Sequence, residues 1–204
     1  GRYGIALHAK LQSRERMFPS LEGLTARKAA EAARSWNLLE ASEAMAVINA
    51  FYNTEERLDK LSARCGFDNS CTQGFATEGK KIALIGHLVL QPDALKGASE
   101  VYIIERDPKP GDYPDSACEY ILPESDIVIM TASAAINKTL PRLLELSKNA
   151  VSIIIGPTTP LCPELKALGI DRLSGMVVRD KSAFEAWATA SHGSPYKHGD
   201  VFMI

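Results

Sequence analysis

The polar residues that stand where this chain's apolar runs end are of the types that hold a small ligand or move protons on it. His87 follows the run 81–86 (KIALIG), and Glu105 closes 101–105 (VYIIE). Thr131 closes 127–131 (IVIMT), with Ser133, Asn137 and Lys138 just behind, and Thr158 and Thr159 follow 151–156 (VSIIIG). His87 can bind a metal, shuttle a proton or donate to an anion, and it can equally pack and cap a helix. Glu105 occupies the place where dinucleotide-binding folds keep an acid for a ribose hydroxyl. Asp112 and Tyr113 lie in the stiff loop Pro110-Gly111-Asp112-Tyr113-Pro114, where Asp112 also serves as a turn former. His87 and Asp112 are the candidates for direct metal ligation.

Small hydroxyl residues ahead of a helix let backbone N–H groups approach an anion. Residues 131–138 (TASAAINK) have that texture, and Thr159 as N-cap with Pro160 as N1 opens a second helix, through Leu168 to Gly169. Two such starts beside one crevice suit a carboxylate, a phosphate or a metal chelate; plain capping is the alternative. Several stronger signatures are missing. There is no GxGxxG, no GxxxxGK[ST], no Ser-His-Asp pattern and no close CxxC pair. Cys65, Cys71, Cys118 and Cys162 are scattered and read as free thiols of a reducing cytoplasm. Cys162 stands in a predicted first helical turn, which can lower a thiol pKa, but burial as a small apolar side chain suits it better. The tail 192–200 (HGSPYKHGD) reads as a solvated terminus, although its histidines and aspartate are metal-ligand types.

The elements that must position these groups follow from the runs themselves. Unbroken apolar stretches of about five residues read as strands buried on both faces, hence as a parallel sheet. Helical segments alternate with them: a short one near 92–96, another near 116–121, a clear one over 140–147 with Thr139 and Pro141 at its start, and a last one over 181–190. A weaker strand is expected over 172–178. Such alternation gives right-handed crossovers and a Rossmann-like, doubly wound, mainly parallel α/β sheet, with ligands outside the carboxyl ends of its strands.

Residues 1–61 differ in texture. The segment 24–36 is alanine-rich with a charged side, and 38–52 (LLEASEAMAVINAFY) is apolar on most faces, so it should be central to a smaller, mainly helical domain. Asn37 and Glu40 stand three apart at its start, as in a capping box. Asn49 inside it needs hydrogen-bond partners, either in a neighbouring loop or on a ligand between domains. The polar stretch 62–79 reads as the linker to a second domain over 80–204. The chain opens at Gly1 rather than at methionine, and a short upstream piece, a strand, is expected before it.

Composition narrows the partners. A net charge of −2 gives no basic face for nucleic acid, and no apolar run approaches the roughly 20 residues of a membrane span. The expected partner is a small anionic molecule or metal complex, with a homo-oligomer open.

The order of several motifs is familiar as a set. Ser35-Trp36-Asn37-Leu38-Leu39-Glu40-Ala41-Ser42, Ile48-Asn49-Ala50, Gly86-His87, the Gly111–Pro114 loop, Leu122-Pro123-Glu124-Ser125-Asp126, Asn137-Lys138-Thr139-Leu140, Gly156-Pro157-Thr158-Thr159-Pro160-Leu161 and Leu173-Ser174-Gly175 resemble a family described by heavy-metal chelation. The resemblance spans about residues 20–180. It implies an α+β N-terminal domain like that of enolase, a Rossmann-like second domain and prokaryotic cytoplasmic proteins linked with metal handling. Together the readings predict a ligand site between the domains. His87, Glu105, Asp112, Tyr113, Thr131, Ser133, Asn137, Thr158 and Thr159 would serve it from the sheet, and Asn37, Glu40 and Asn49 from the helical domain. Three functions fit: binding of a metal ion or anionic metal chelate, with a transition metal as the possible cofactor; an enzyme acting on a small anionic or pterin-like metabolite with His87 as acid–base; and a non-catalytic nucleotide sensor or scaffold.

Overall fold

The computed structural model describes residues 1–9, 15–18, 20–61, 70–190 and 193–204. Cys65, His192 and the first part of the 62–79 stretch lie outside these. The chain builds a seven-stranded sheet: β1 Lys81–Ile85, β2 Glu100–Glu105, β3 Tyr113–Pro114, β4 Ile127–Thr131, β5 Val151–Ile155, β6 Arg172–Val178 and β7 Gly199–Met203. Their order is β3-β2-β1-β4-β5-β6-β7. All pairs are parallel except β6 with β7, and registers such as Ile82 with Val101 and with Ile127 align the strand ends. This is the Rossmann-like α/β arrangement that the apolar runs predict.

The runs are unbroken because each face of the sheet has its own core. Ala83, Val128, Met130, Ile154 and Leu173 point into one buried cluster. Their neighbours Ile82, Leu84, Ile127, Ile129, Ile153 and Ile155 point into the other. With successive side chains on opposite faces, nearly every interior position is apolar, the small buried Ser152 and Ser174 being exceptions.

Helices α1 Ala26–Ala30, α2 Leu38–Tyr52 and α3 Glu55–Leu58 make up the N-terminal part, and no strand forms among the described residues of 1–61. The helix expected over 24–36 is only partly α: a 3-10 turn takes over at Glu31–Arg34. The later helices are α4 Cys118–Ile121, α5 Ser133–Ile136, α6 Leu140–Leu146 and α7 Lys181–Ala190. Leu143 and Ser147 of the α6 face are buried as its spacing predicts.

Four expectations are corrected. Residues 92–97 form turns, not a helix. Thr159 caps nothing: the helical piece after β5 is a 3-10 turn at Pro163–Leu168 with Cys162 as its N-cap, although Gly169 does end it, at φ 87°. The C-terminal tail is no solvated terminus, because Pro195–His198 forms a 3-10 turn and β7 extends the sheet. Residues 70–79 fold onto the sheet: Cys71 is buried there, and Arg172 donates to the Cys71 carbonyl at 2.7 Å while lying over the Phe75 ring.

Candidate functional site

The strand order reverses between β1 and β4, where their two crossovers leave in opposite directions and a crevice must open at the carboxyl ends. A cleft of about 430 Å³ lies there, lined by Gly86, His87, Glu105, Thr131, Ser133 and Asn137, with Arg106, Lys138 and Arg142 adding positive charge and Asp115 and Glu119 negative charge. Gly86 is required by the geometry. Its φ is +99°, and a Cβ at this position would stand 3.2 Å from Thr131 Cγ2.

His87 is fixed from two directions. Its backbone N–H donates to Glu105 Oε1 at 2.8 Å, and the Arg106 N–H donates to Glu105 Oε2 at 3.1 Å. Glu105 therefore ties the β1 turn to the β2 end. The ring Nε2 lies 2.7 Å from Asp112 Oδ2, and the same oxygen accepts the Lys109 N–H at 2.7 Å. Asp112 is itself well covered, whereas the His87 side chain keeps 39% of its surface exposed. The Lys109 N–H, and after it His87, holds the Asp112 carboxyl below its ordinary range, against a smaller upward push from burial. A carboxylate on one ring nitrogen orients the imidazole and leaves Nδ1 for other work.

Beyond β4, Thr131 and Ser133 hydroxyls lie 3.0 Å apart. Asn137 accepts the Thr139 N–H and hydroxyl, at 3.1 and 2.7 Å, which fixes the turn between α5 and α6. Lys138 follows in the left-handed region at φ 69°, and its ammonium donates to the Ala33 carbonyl of the N-terminal part. Burial pushes the Lys138 pKa down. α5 is a single turn and Thr159 opens no helix, so the two helix starts expected to face the crevice do not exist as such.

The remaining predicted site residues sit elsewhere. Thr158 lines a neighbouring chamber and accepts the Leu7 N–H at 2.8 Å. Thr159 is fully buried. Tyr113 is on edge strand β3, where its ring meets Tyr102 edge-on at 5.7 Å. Asn37 caps α2 by accepting the Leu39 and Glu40 N–H groups. Glu40 departs from the capping box: its carboxylate instead accepts the Met17 and Phe18 N–H groups and the Ser35 hydroxyl, with Arg16 beside it. Asn49 donates to the Ile5 and Thr158 carbonyls, at 2.7 and 2.9 Å. These three hold the N-terminal part together and against the sheet; none lines the cleft.

Two contributions escape a sequence reading. Arg142 reaches the cleft from α6 and is paired with Glu119 and Glu145; only the three-residue spacing to Glu145 is visible locally. Asn53, at the end of α2, donates to the Thr159 and Met176 carbonyls and accepts the Leu161 N–H. No pattern over adjacent residues reveals that.

The donor set can be compared with what a metal needs. Among the described residues no three His, Cys, Asp or Glu side chains converge. Cys71, Cys118 and Cys162 are buried free thiols, and burial raises the first two to a pKa of about 11. Burial and the Glu164 carboxylate raise Cys162 as well, so its place near a helical turn does not make it a thiolate. With its Nε2 on Asp112, His87 leaves one ligand atom, Nδ1, too few for a closed shell. No helix among the described residues is long and apolar enough to cross a membrane.

Comparison with known proteins places this geometry in a family. A crystal structure of a protein of unknown function from the DUF364 family of Desulfitobacterium hafniense is 37% identical, with a TM-score of 0.80 over 94% of this chain and 80% of that one. A second, from Pyrococcus horikoshii, is 26% identical, with a TM-score of 0.76 over 93% of this chain and 78% of that one. An uncharacterized protein of Methanocaldococcus jannaschii is 30% identical over 158 residues, covering 72% of this chain. The match spans only 58% of that relative's length. The DUF4213 profile matches residues 1–52 and the DUF364 profile matches residues 74–200, both under the description "Putative heavy-metal chelation". The chain therefore belongs to the DUF364 family of that description.

Proposed function

We propose that the cleft at the ends of β1, β2 and β4 binds a metal in already chelated form, recognised through the chelator's anionic groups. The observation that carries this reading is His87, held by Asp112 at the mouth of a cleft whose other walls offer hydroxyls, an amide and the cationic Arg106 and Lys138, with Asp115 and Glu119 as acidic neighbours. With Nε2 held by Asp112, His87 can offer its Nδ1 to a metal, which completes a coordination shell only if the chelator supplies the rest. The family description supports metal handling in general and the crevice position supports a small molecule.

The test is calorimetric titration with nickel–citrate, free nickel and citrate, alongside elemental analysis of the purified protein. Nickel–citrate should bind more tightly than free nickel, and His87→Ala should weaken it by about tenfold or more. Equal affinity of the wild type and His87→Ala for every probe would sink the reading.

A second reading is favoured by the same Asp112–His87 contact. An imidazole oriented by a carboxylate is the arrangement of a general acid–base, so the cleft would transform an anionic metabolite rather than hold it. In that case the wild type turns over an anionic metabolite, and His87→Ala removes that turnover while leaving the metabolite's affinity nearly intact.

A further inference from the structure

The cleft has a neighbour. A chamber of about 690 Å³ opens on the other side of Thr131 and Ser133, and these two residues line both spaces. Its walls come from both halves of the molecule: Ile5, Ala46, Ile155, Pro157, Phe184 and Trp187. The N-terminal segment that forms one wall is pressed onto α2, since a Cβ on Gly4 would stand 1.9 Å from the Ala46 carbonyl oxygen. The opposite wall is aromatic and held in place. The Phe184 and Trp187 ring centroids lie 5.3 Å apart, His198 stacks on Trp187 at 5.9 Å, and the indole N–H donates to the Gly193 carbonyl at 3.2 Å. With its one donor satisfied, what Trp187 can offer a ligand is its apolar ring surface.

The two spaces differ in chemistry. The cleft presents His87, Asn137, Lys138 and Arg142, with Glu105, Asp115 and Glu119 among them; the chamber is walled mostly by aliphatic and aromatic carbon, its polar side chains being His8, Thr158 and the hydroxyls of Thr131 and Ser133. We infer that they are two compartments of one site, which takes an amphiphilic ligand: an anionic head in the cleft and a flat, apolar or aromatic body against Phe184 and Trp187. This rests on the reading that the cleft accepts anionic groups, and it adds the class of molecule to which those groups belong. An aromatic body in a pre-shaped apolar space would contribute most of the affinity, while the polar compartment would set orientation.

The probes are anilinonaphthalene sulfonate, which has an aromatic body and an anionic head, and citrate, which has only the polar part. The sequence holds two tryptophans, so Trp36→Phe leaves Trp187 as the sole energy-transfer donor to the bound dye. The full-length protein should bind the dye in a single site, quench Trp187, and release the dye on addition of citrate. Trp187→Ala should weaken the dye by about tenfold or more and leave citrate within about twofold, and Trp187→Phe should recover most of the loss. Circular dichroism melting of each variant shows whether the fold is intact. Unchanged dye affinity in Trp187→Ala, no dye binding to the wild type, or a dye that citrate does not displace would each overturn the two-compartment site. Loss of citrate binding in the wild type would instead overturn the anionic cleft, so the two failures are distinguishable.

Discussion

At the scale of single residues, the cleft depends on how firmly His87 is aimed. Its partner Asp112 owes its depressed pKa first to the Lys109 N–H and then to His87. The sign follows directly. A carboxyl whose folded pKa lies below its unfolded value contributes stability that is present above the unfolded value, about 3.9 for Asp, and is lost as pH falls through the folded one. The 109–112 loop should therefore keep its shape through the ordinary carboxyl range and release only in stronger acid. The amide shift of Lys109, followed by NMR from pH 7 downward, should show a midpoint below about 3.9, where an unperturbed Asp titrates. A midpoint at or above it would mean that Asp112 does not hold this loop. The pair was half legible in the sequence. His87 at a strand end and the stiff 110–114 loop were both visible, but a separation of 25 positions along the chain hid the contact of His87 with Asp112.

At the scale of elements, Glu40 shows how a local signature can be right about place and wrong about partner. The Asn37–Glu40 spacing marks the start of α2, and α2 does begin there with Asn37 as its cap. The carboxylate, though, turns away from the helix and gathers residues 16–18 and Ser35 around itself. Burial pushes its pKa up, but the Ser35 hydroxyl, the Phe18 and Met17 N–H groups and Arg16 together outweigh that and hold it low. Its contribution is thus present at neutral pH and fades as pH drops below the usual Glu range. Glu40→Gln keeps the shape and removes the charge. It should cost on the order of 2–4 kcal/mol in urea denaturation, because two N–H groups, a hydroxyl and a guanidinium lose part of their acceptor. A cost below about 0.5 kcal/mol, the range of ordinary surface substitutions, would show that the cluster is ornamental. The strands were legible because burial on both faces leaves an unbroken apolar run. β7 was not, because Gly199 and Asp200 open it with turn-like residues and only antiparallel pairing with β6 makes them strand. The Thr159-Pro160 signature failed for a tertiary reason: Asn53 takes the Thr159 carbonyl and the Leu161 N–H, fixing this segment in a non-helical path.

At the scale of the whole molecule, the question is whether the helical part and the sheet act as one body. Ala41, Met45 and Ile136 form a small shared core with Ala9, so α5, which follows directly from the cleft's Thr131, rests on α2. Around it lie buried hydrogen bonds, Asn49 to Thr158 and Asn53 to Thr159, Met176 and Leu161, and a half-buried one from Leu7 to Thr158. Interfaces between domains are commonly polar and mobile, but here the Asn53 amide is matched at both ends and the Asn49 N–H groups are paired, although Asn49 Oδ1 is buried without a partner, so opening the seam would strand these groups and is penalised. Leu7 and Thr158 of this seam line the chamber, whereas the cleft is walled by the sheet part alone, so a ligand in the chamber would share contacts with the docking of the two parts. The two tryptophans report on the two sides separately, Trp36 on the helical part and Trp187 on α7. In single-tryptophan variants the urea transitions seen at Trp36 and at Trp187 should coincide, as for one cooperative unit. Asn53→Ala removes three bonds at once and leaves two carbonyls and an N–H buried without a partner. It should lower stability by roughly 2–4 kcal/mol and move the Trp36 transition to lower urea than the Trp187 transition. If the two transitions are already separate in the parent protein, the seam is a hinge and the chamber walled from both halves is open to motion. If they stay together in Asn53→Ala, docking is carried by the Ala41–Met45–Ile136 core and not by the asparagine.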